Sequence, residues 1–232
     1  MNRKLSLILF IFVWVLSSGF TVPTALAGEI SGRILVTKTL TKKRIVLPSY
    51  QSRNFSPPLK QDTAVDKGEF GRIAIYLEGP AATVTPTNTK LIQQDMRFDP
   101  EILVIPVGSV VSFPNGDPIF HNVFSLSKPK QFDLGYYPIG QTRLVKFNRT
   151  GVVQVYCHLH PQMSAAILII DSSWYTRPDE AGTFSFSKVP AGTYELVAWH
   201  KSAGFFKHRV ELPETGSIQV DLTIPLRDTE AQ

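Results

Sequence analysis

The sequence predicts an all-β protein, and three observations carry that prediction. After residue 28 no stretch repeats its apolar residues at a 3.6-residue period. Short runs rich in β-branched and aromatic residues recur instead. Gly, Pro, Asn and Asp punctuate these runs at intervals of about ten residues, the spacing of sandwiches and barrels.

In order, the predicted strands are 30–36, 72–77, 102–105, 109–113, 122–126, 143–147, 152–156, 165–171, 183–187, 193–199, 208–212 and 217–224. Trp199, Phe205 and Phe206 read as core. Residues 37–68 alternate little and contain Pro48, Pro57 and Pro58. They predict a long loop with a short strand at 45–47. The stretch PAATVTPTNT (80–89) is small, Thr-rich and carries two prolines, which is linker chemistry. Residues 171–179 read as the matching linker, so 88–172 is expected to be one compact unit.

The first residues read as a secretory signal. Arg3 and Lys4 precede an apolar region from Leu5 to Leu16, and Ala25-Leu26-Ala27 has the form of a cleavage site. The rival is a retained anchor, but the apolar run falls short of the ~20 residues a spanning helix needs. Cleavage of 1–27 predicts a periplasmic or otherwise exported protein with no stable membrane span. Losing Arg3 and Lys4 lowers the formal charge from +5 to +3. So mild an excess, with no accompanying motif, argues against nucleic acid as a partner. The run Lys42-Lys43-Arg44 reads as a solvated loop, or else as a docking patch for an acidic partner.

Cys157 is the only cysteine, so no internal disulfide can form. In an oxidising compartment a lone thiol is buried, paired between chains, or ligated. Its neighbours favour the last. Cys157 follows the predicted strand 152–156, with His160 three residues on and Met163 three further. Pro161 forbids a regular helix through this stretch, so C-x-x-H-P-x-M reads as a tight loop between strands. His121 begins another strand upstream. Taken alone, His121 would be a hydrogen-bonded histidine, Met163 core and His160 a surface residue. Together, two imidazoles, one thiolate and a weak thioether are the donor set of a blue-copper electron-transfer centre. Cu(I) favours soft sulfur and Cu(II) accepts imidazole nitrogen, so the set suits both oxidation states. Zinc would also accept two His and one Cys, but it prefers a firm fourth donor or a water. Phe113, Phe120, Phe124, Leu159 and Pro161 are expected to wall the site from water.

Two segments, FDPEILVIPVGSVVSFPNGDPIFHNVFS (98–125) and GVVQVYCHLHPQMSAAILII (151–170), resemble the cupredoxins, the plastocyanin and amicyanin group in particular. The resemblance implies a Greek-key β-sandwich over 88–172. It implies one type 1 copper ion held by His121, Cys157, His160 and axial Met163. Asn122 resembles the residue that braces the two ligand loops around the thiolate, and Phe120 and Pro161 are expected beside the ligands. The implied function passes single electrons between a redox donor and a redox acceptor, neither identified, with the edge of His160 as the exit. The alternative is a copper carrier or sensor that delivers metal rather than electrons. No enzyme is expected, since no nucleophile with a base, no carboxylate pair and no second histidine cluster accompany the site. Charges in the copper unit are nearly balanced, so strong electrostatic steering is not expected. Two features depart from the resemblance. His158 stands where a small polar residue is usual and is expected to face solvent. Residues 127–141 are not plastocyanin-like and read as a lid or a partner contact.

The stretch DEAGTFSFSKVPAGTYELVAWH (179–200) resembles carboxypeptidase-regulatory-like and transthyretin-like sandwiches. Such a sandwich usually begins with strands like ISGRILV and RIAIYLEG, which stand here at 30–36 and 72–79. This implies a discontinuous second small β-sandwich, 29–87 and 173–226, from which the copper unit emerges as an insertion. Its role is expected to be adhesive or partner-docking, and His200 and His208 read as structural or surface residues. The two-part arrangement is similar to methylamine-utilization-like proteins.

Overall fold

The computed structural model describes residues 27–38, 40, 68–80, 84–214 and 216–225. The leader at 1–26, the basic run at 42–44, the strand expected at 45–47 and most of the expected loop lie outside the described residues.

Among the described residues the chain forms eighteen strands and no α-helix. Two strands lead: β1 (Gly28–Val36) and, after a 3-10 turn at Phe70–Arg72, β2 (Ile73–Glu78). Ten follow: β3 (Asn88–Lys90), β4 (Ile92–Gln94), β5 (Arg97–Asp99), β6 (Ile102–Pro106), β7 (Val110–Pro114), β8 (His121–Ser125), β9 (Phe132–Tyr137), β10 (Thr142–Lys146), β11 (Gly151–Tyr156) and β12 (Ser164–Ile170). Six close the chain: β13 (Tyr175–Thr176), β14 (Thr183–Val189), β15 (Gly192–His200), β16 (Gly204–Leu212), β17 (Ser217–Gln219) and β18 (Leu222–Ile224).

Sixteen of these strands form four layers around three cores, and β4 and β5 form a separate hairpin. In the first layer β1 pairs with β14, β17 and β18; in the second, the order is β13-β2-β15-β16. Ile30, Ile34, Ile75, Phe184, Leu196 and Leu222 fill the space between them. The third layer is β6-β12-β11-β8-β9 and the fourth is β10-β7-β3. Between these lie Phe113, Val123, Phe147, Val155, Cys157 and Met163. The third core joins the two halves: Ala74, Tyr76, Val197 and Trp199 from the second layer meet Ile102, Ala166, Leu168 and Ile170 from the third.

This stacking explains why β2 and β12 are apolar at nearly every position. A strand covered on both faces has no solvent side to alternate with. Ile73, Ile75 and Leu77 point into the first core, whereas Ala74 and Tyr76 point into the joining core. Likewise Ala165, Ile167 and Ile169 serve the ligand-bearing core, and Ala166, Leu168 and Ile170 the joining one. The strands before residue 80 pair with strands after residue 174: β1 with β14, and β2 with β13 and β15.

Several expectations need correction. Residues 127–141 are not a lid, because β9 pairs with β8 and buries Tyr137 completely. The register shift between Asn122 and Phe124, with Gly135 at φ +66° opposite, broke the alternation that would have marked this strand. The single strand expected at 217–224 is two short ones. Between them the carbonyl of Val220 lies where a Cβ on Gly32 would stand, only 1.8 Å away, so only glycine fits at 32. Phe205 is not core but 48% exposed, because β16 is an edge strand; Phe206 is partly buried and Trp199 fully so. β3, β4, β5 and β13, two or three residues each, gave no apolar run to read.

His200 and Glu69 are both buried, with Nε2 2.7 Å from Oε2. The backbone N–H groups of Ser202 and Ala203 donate to His200 Nδ1 at 3.2 Å, which leaves the ring proton on Nε2, the nitrogen beside the carboxylate. His208 is exposed on β16.

Candidate metal centre

β8 and the β11–β12 connection bring the predicted donors to one end of the third layer. His121 is the first residue of β8 and is fully buried. Cys157 directly follows β11 and is 4% exposed. His160 is half-buried in the loop, and Met163 closes that loop just before β12. The loop is tight because the Met163 N–H donates to the His160 carbonyl at 2.9 Å. Pairing of β11 with β12 from Tyr156↔Ser164 down to Gly151↔Ile169 anchors both loop ends.

Three donor atoms converge. His121 Nδ1 and His160 Nδ1 are 3.0 Å apart. Cys157 Sγ lies 3.9 Å from the first and 3.7 Å from the second. A triangle of these sides has a centre about 2 Å from each corner, matching the ~2.0–2.3 Å bonds that imidazole nitrogen and thiolate make to zinc. Two nitrogens and a sulfur so disposed fit a first-row metal ion. Met163 is buried in the same core as Cys157.

Asn122 ties the two ligand-bearing segments together. Its Nδ2 donates to Asp133 Oδ1 at 2.6 Å and to the Gly135 carbonyl at 3.3 Å, and its Oδ1 accepts the His158 N–H at 3.4 Å. Asp133 is held below its ordinary pKa, chiefly by the Gly135 N–H, with Asn122 and His158 adding to the effect. Farther in, Tyr137 donates to the Phe113 carbonyl at 3.0 Å and accepts from Gln93 Nε2 at 2.6 Å. Burial pushes its phenol up to about 12, so it stays protonated.

The expected apolar walls divide into two groups. Phe113 is buried in the same core as Cys157 and Met163. Phe120 is 55% exposed, Leu159 48%, and Pro161 is also exposed. They lie outside the strands, Phe120 next to His121 and Leu159 and Pro161 on either side of His160 in the chain; Ile119 and Met96 are exposed apolar residues as well. His158 is exposed and stacks on Phe124, ring centroids 3.8 Å apart.

One residue was missed from sequence. Asp117 Oδ2 lies 2.7 Å from His121 Nε2, and the carboxylate is buried. Burial alone would raise its pKa. The Met96 N–H, the His121 ring and the Asp95 N–H outweigh that and hold the carboxyl below its ordinary range. The signal was available: an aspartate in an N-G-D-P turn, four residues before a candidate ligand histidine.

The chain is similar to solved cupredoxin structures. An amicyanin variant in the Cu(I) state shares 17% identity over 36% of this chain and 82% of that one, with TM-score 0.34. A purple cupredoxin from Nitrosopumilus maritimus shares 24% identity over 35% of this chain and 99% of that one, with TM-score 0.32. A copper-containing nitrite reductase from Thermus scotoductus shares 23% identity over 41% of this chain and 25% of its own length, with TM-score 0.35. No protein-family model matches the chain, and no curated protein matches it. No helix among the described residues is long and apolar enough to cross a membrane.

Proposed function

We propose that this chain is an exported electron carrier with one type 1 copper site. The single observation carrying the reading is the convergence of Cys157 Sγ, His121 Nδ1 and His160 Nδ1 at mutual distances of 3.0–3.9 Å. Copper bound there would supply a one-electron couple. His121, Cys157 and His160 would hold it, with Met163 as the weak axial donor.

The chain's contribution is rigidity and exclusion of water. Two paired strands anchor the C-x-x-H-P-x-M loop, and Asn122 fastens it to the His121 strand. Donors held this way move little between oxidation states. Burial of Cys157 and Met163 keeps water from the sulfur side. His160 alone of the four is half-exposed, with exposed Leu159 and Pro161 on either side of it in the chain and exposed Phe120 next to His121. Its edge is the expected route for the electron to and from separate redox proteins.

The same reading divides the chain into a signal at 1–27, a copper domain at 88–172 and a second sandwich built from 29–87 and 173–226. Pairing of β1 with β14, and of β2 with β15, supports the discontinuous sandwich. That sandwich carries no candidate catalytic cluster among its described residues, and its proposed role is docking.

Redox cycling of the copper-loaded protein tests the function. An intense visible thiolate-to-copper band that ascorbate bleaches and oxidant restores, with metal retained, supports the carrier. Loss of the metal on reduction supports copper delivery instead.

A further inference from the structure

We propose that Asp117 is a positioning residue that selects which nitrogen His121 offers to copper and strengthens the donation from that nitrogen. The inference rests on the copper reading above and deepens it.

Asp117 is held on every side. Its Oδ1 accepts the Asp95 N–H at 2.7 Å, and its Oδ2 accepts the Met96 N–H at 2.9 Å. Asp95 and Met96 form the tip of the β4–β5 hairpin, both at φ +53°, and their two successive N–H groups point at this one carboxylate. The Asp117 N–H in turn donates to Asn115 Oδ1 at 2.9 Å. Asn115 Nδ2 is itself spent on the Ile119 and Tyr137 carbonyls, at 2.8 and 3.0 Å. The carboxylate therefore cannot swing away from His121.

An ionised carboxylate accepts hydrogen bonds and donates none. Its 2.7 Å contact with His121 Nε2 therefore places the ring proton on Nε2. A neutral imidazole then carries its lone pair on Nδ1, the atom that faces Cys157 and His160. The hairpin tip thus reaches the donor cluster through two hydrogen bonds in series. A neutral acceptor would orient the ring equally well. The negative charge adds basicity to the ring, which makes Nδ1 a better donor. Stronger donation stabilises Cu(II) more than Cu(I), so Asp117 lowers the reduction potential.

Two readouts separate positioning from mere structural support. The first needs no metal. Long-range ¹⁵N–¹H NMR of the metal-free protein is expected to show His121 as the Nε2–H tautomer in wild type. In Asp117→Ala the Nδ1–H tautomer becomes populated. The second uses copper-loaded Asp117→Asn, which keeps the shape and removes the charge. Its Cu(II) affinity is expected to fall about tenfold more than its Cu(I) affinity, which raises the potential by about 59 mV. An Nδ1–H tautomer in wild type overturns the proposal, and that measurement stands even if both variants misfold. An unchanged potential in a folded Asp117→Asn protein overturns the charge effect. If copper gives no stable complex while the wild-type tautomer is Nε2–H, the copper reading fails and the ring orientation by Asp117 survives.

Discussion

The amide nitrogen of His158 lies 3.4 Å from Oδ1 of Asn122, so one side chain joins the segment after Cys157 to the strand that begins with His121. The same Asn122 donates to Asp133 and Gly135 on β9. Asn122 is buried but its three partners are exposed, so in Asn122→Ala water can take over their hydrogen bonds while the tie between the two segments is lost. It is expected to lower the stability of the metal-free protein by about 0.5–1.5 kcal/mol, read from urea denaturation. Asn122→Asp is expected to be worse, because it sets a second carboxylate against Asp133. An Asn122→Ala protein as stable as wild type would remove the bracing role.

Met163 is expected to tune the site rather than build it. Met163→Leu conserves volume in a fully buried position, so stability is expected to change by less than ~1.5 kcal/mol. The copper-loaded variant is expected to keep its visible band and to show a raised potential, since losing a donor penalises Cu(II) more than Cu(I). Cyclic voltammetry reads the shift. An unchanged potential would show that the thioether is core packing alone.

Acid is expected to destabilise the metal-free protein in two stages. Burial depresses the His200 pKa below its ordinary 6.5, and Glu69 offsets this only in part. As pH falls below about 6.5 the unfolded chain takes up a proton that the folded chain refuses. Stability from this site is full above that pH and declines below it. Asp117 and Glu101 act later. For Glu101, burial raises the pKa, but Lys201 and then Arg72 outweigh it. Both carboxylates sit below their ordinary values of 3.8 and 4.5, so their contribution is present above those values and is lost as pH falls through the lower folded ones. Guanidinium denaturation across pH, comparing wild type with His200→Gln, checks the first stage. The variant is expected to lose the decline that begins near pH 6.5. Parallel profiles would contradict the assignment.

The joining core is expected to support the fold without touching the metal. Trp199 is 2% exposed and packs with Ile102, Leu168 and Ile170 on the far side of β12 from Met163. Trp199→Ala is expected to cost about 3–5 kcal/mol. The visible spectrum of the copper-loaded variant is expected to match wild type. A changed spectrum would mean that the second sandwich shapes the donor set directly.

Which features were legible in the sequence follows from what each one depends on. The C-x-x-H-P-x-M loop was readable because local chain stiffness and spacing define it. His121 was readable through its place at the head of an apolar strand. β9 was hidden because its bulge at Gly135 disrupts alternation, and so a paired strand read as a lid or a partner contact. That Phe120 and Leu159 are about half exposed was not legible, because apolar character says nothing about whether a residue sits in a loop or beneath a sheet. The hold of Asp117 on His121 depends on a hairpin 21–22 residues upstream, whose backbone N–H groups carry no side-chain signature. The runs in β2 and β12 were read only as strands, because nothing local shows that one strand's outer face covers the other's.

X-ray absorption at the copper edge, on the loaded protein in both oxidation states, tests the shared metal most directly. The expected spectra show one short copper–sulfur path and two imidazoles, with bond lengths nearly unchanged on reduction. Spectra with only nitrogen and oxygen neighbours, or with the sulfur path absent in either state, would contradict the joining of Cys157, His121 and His160 around one ion.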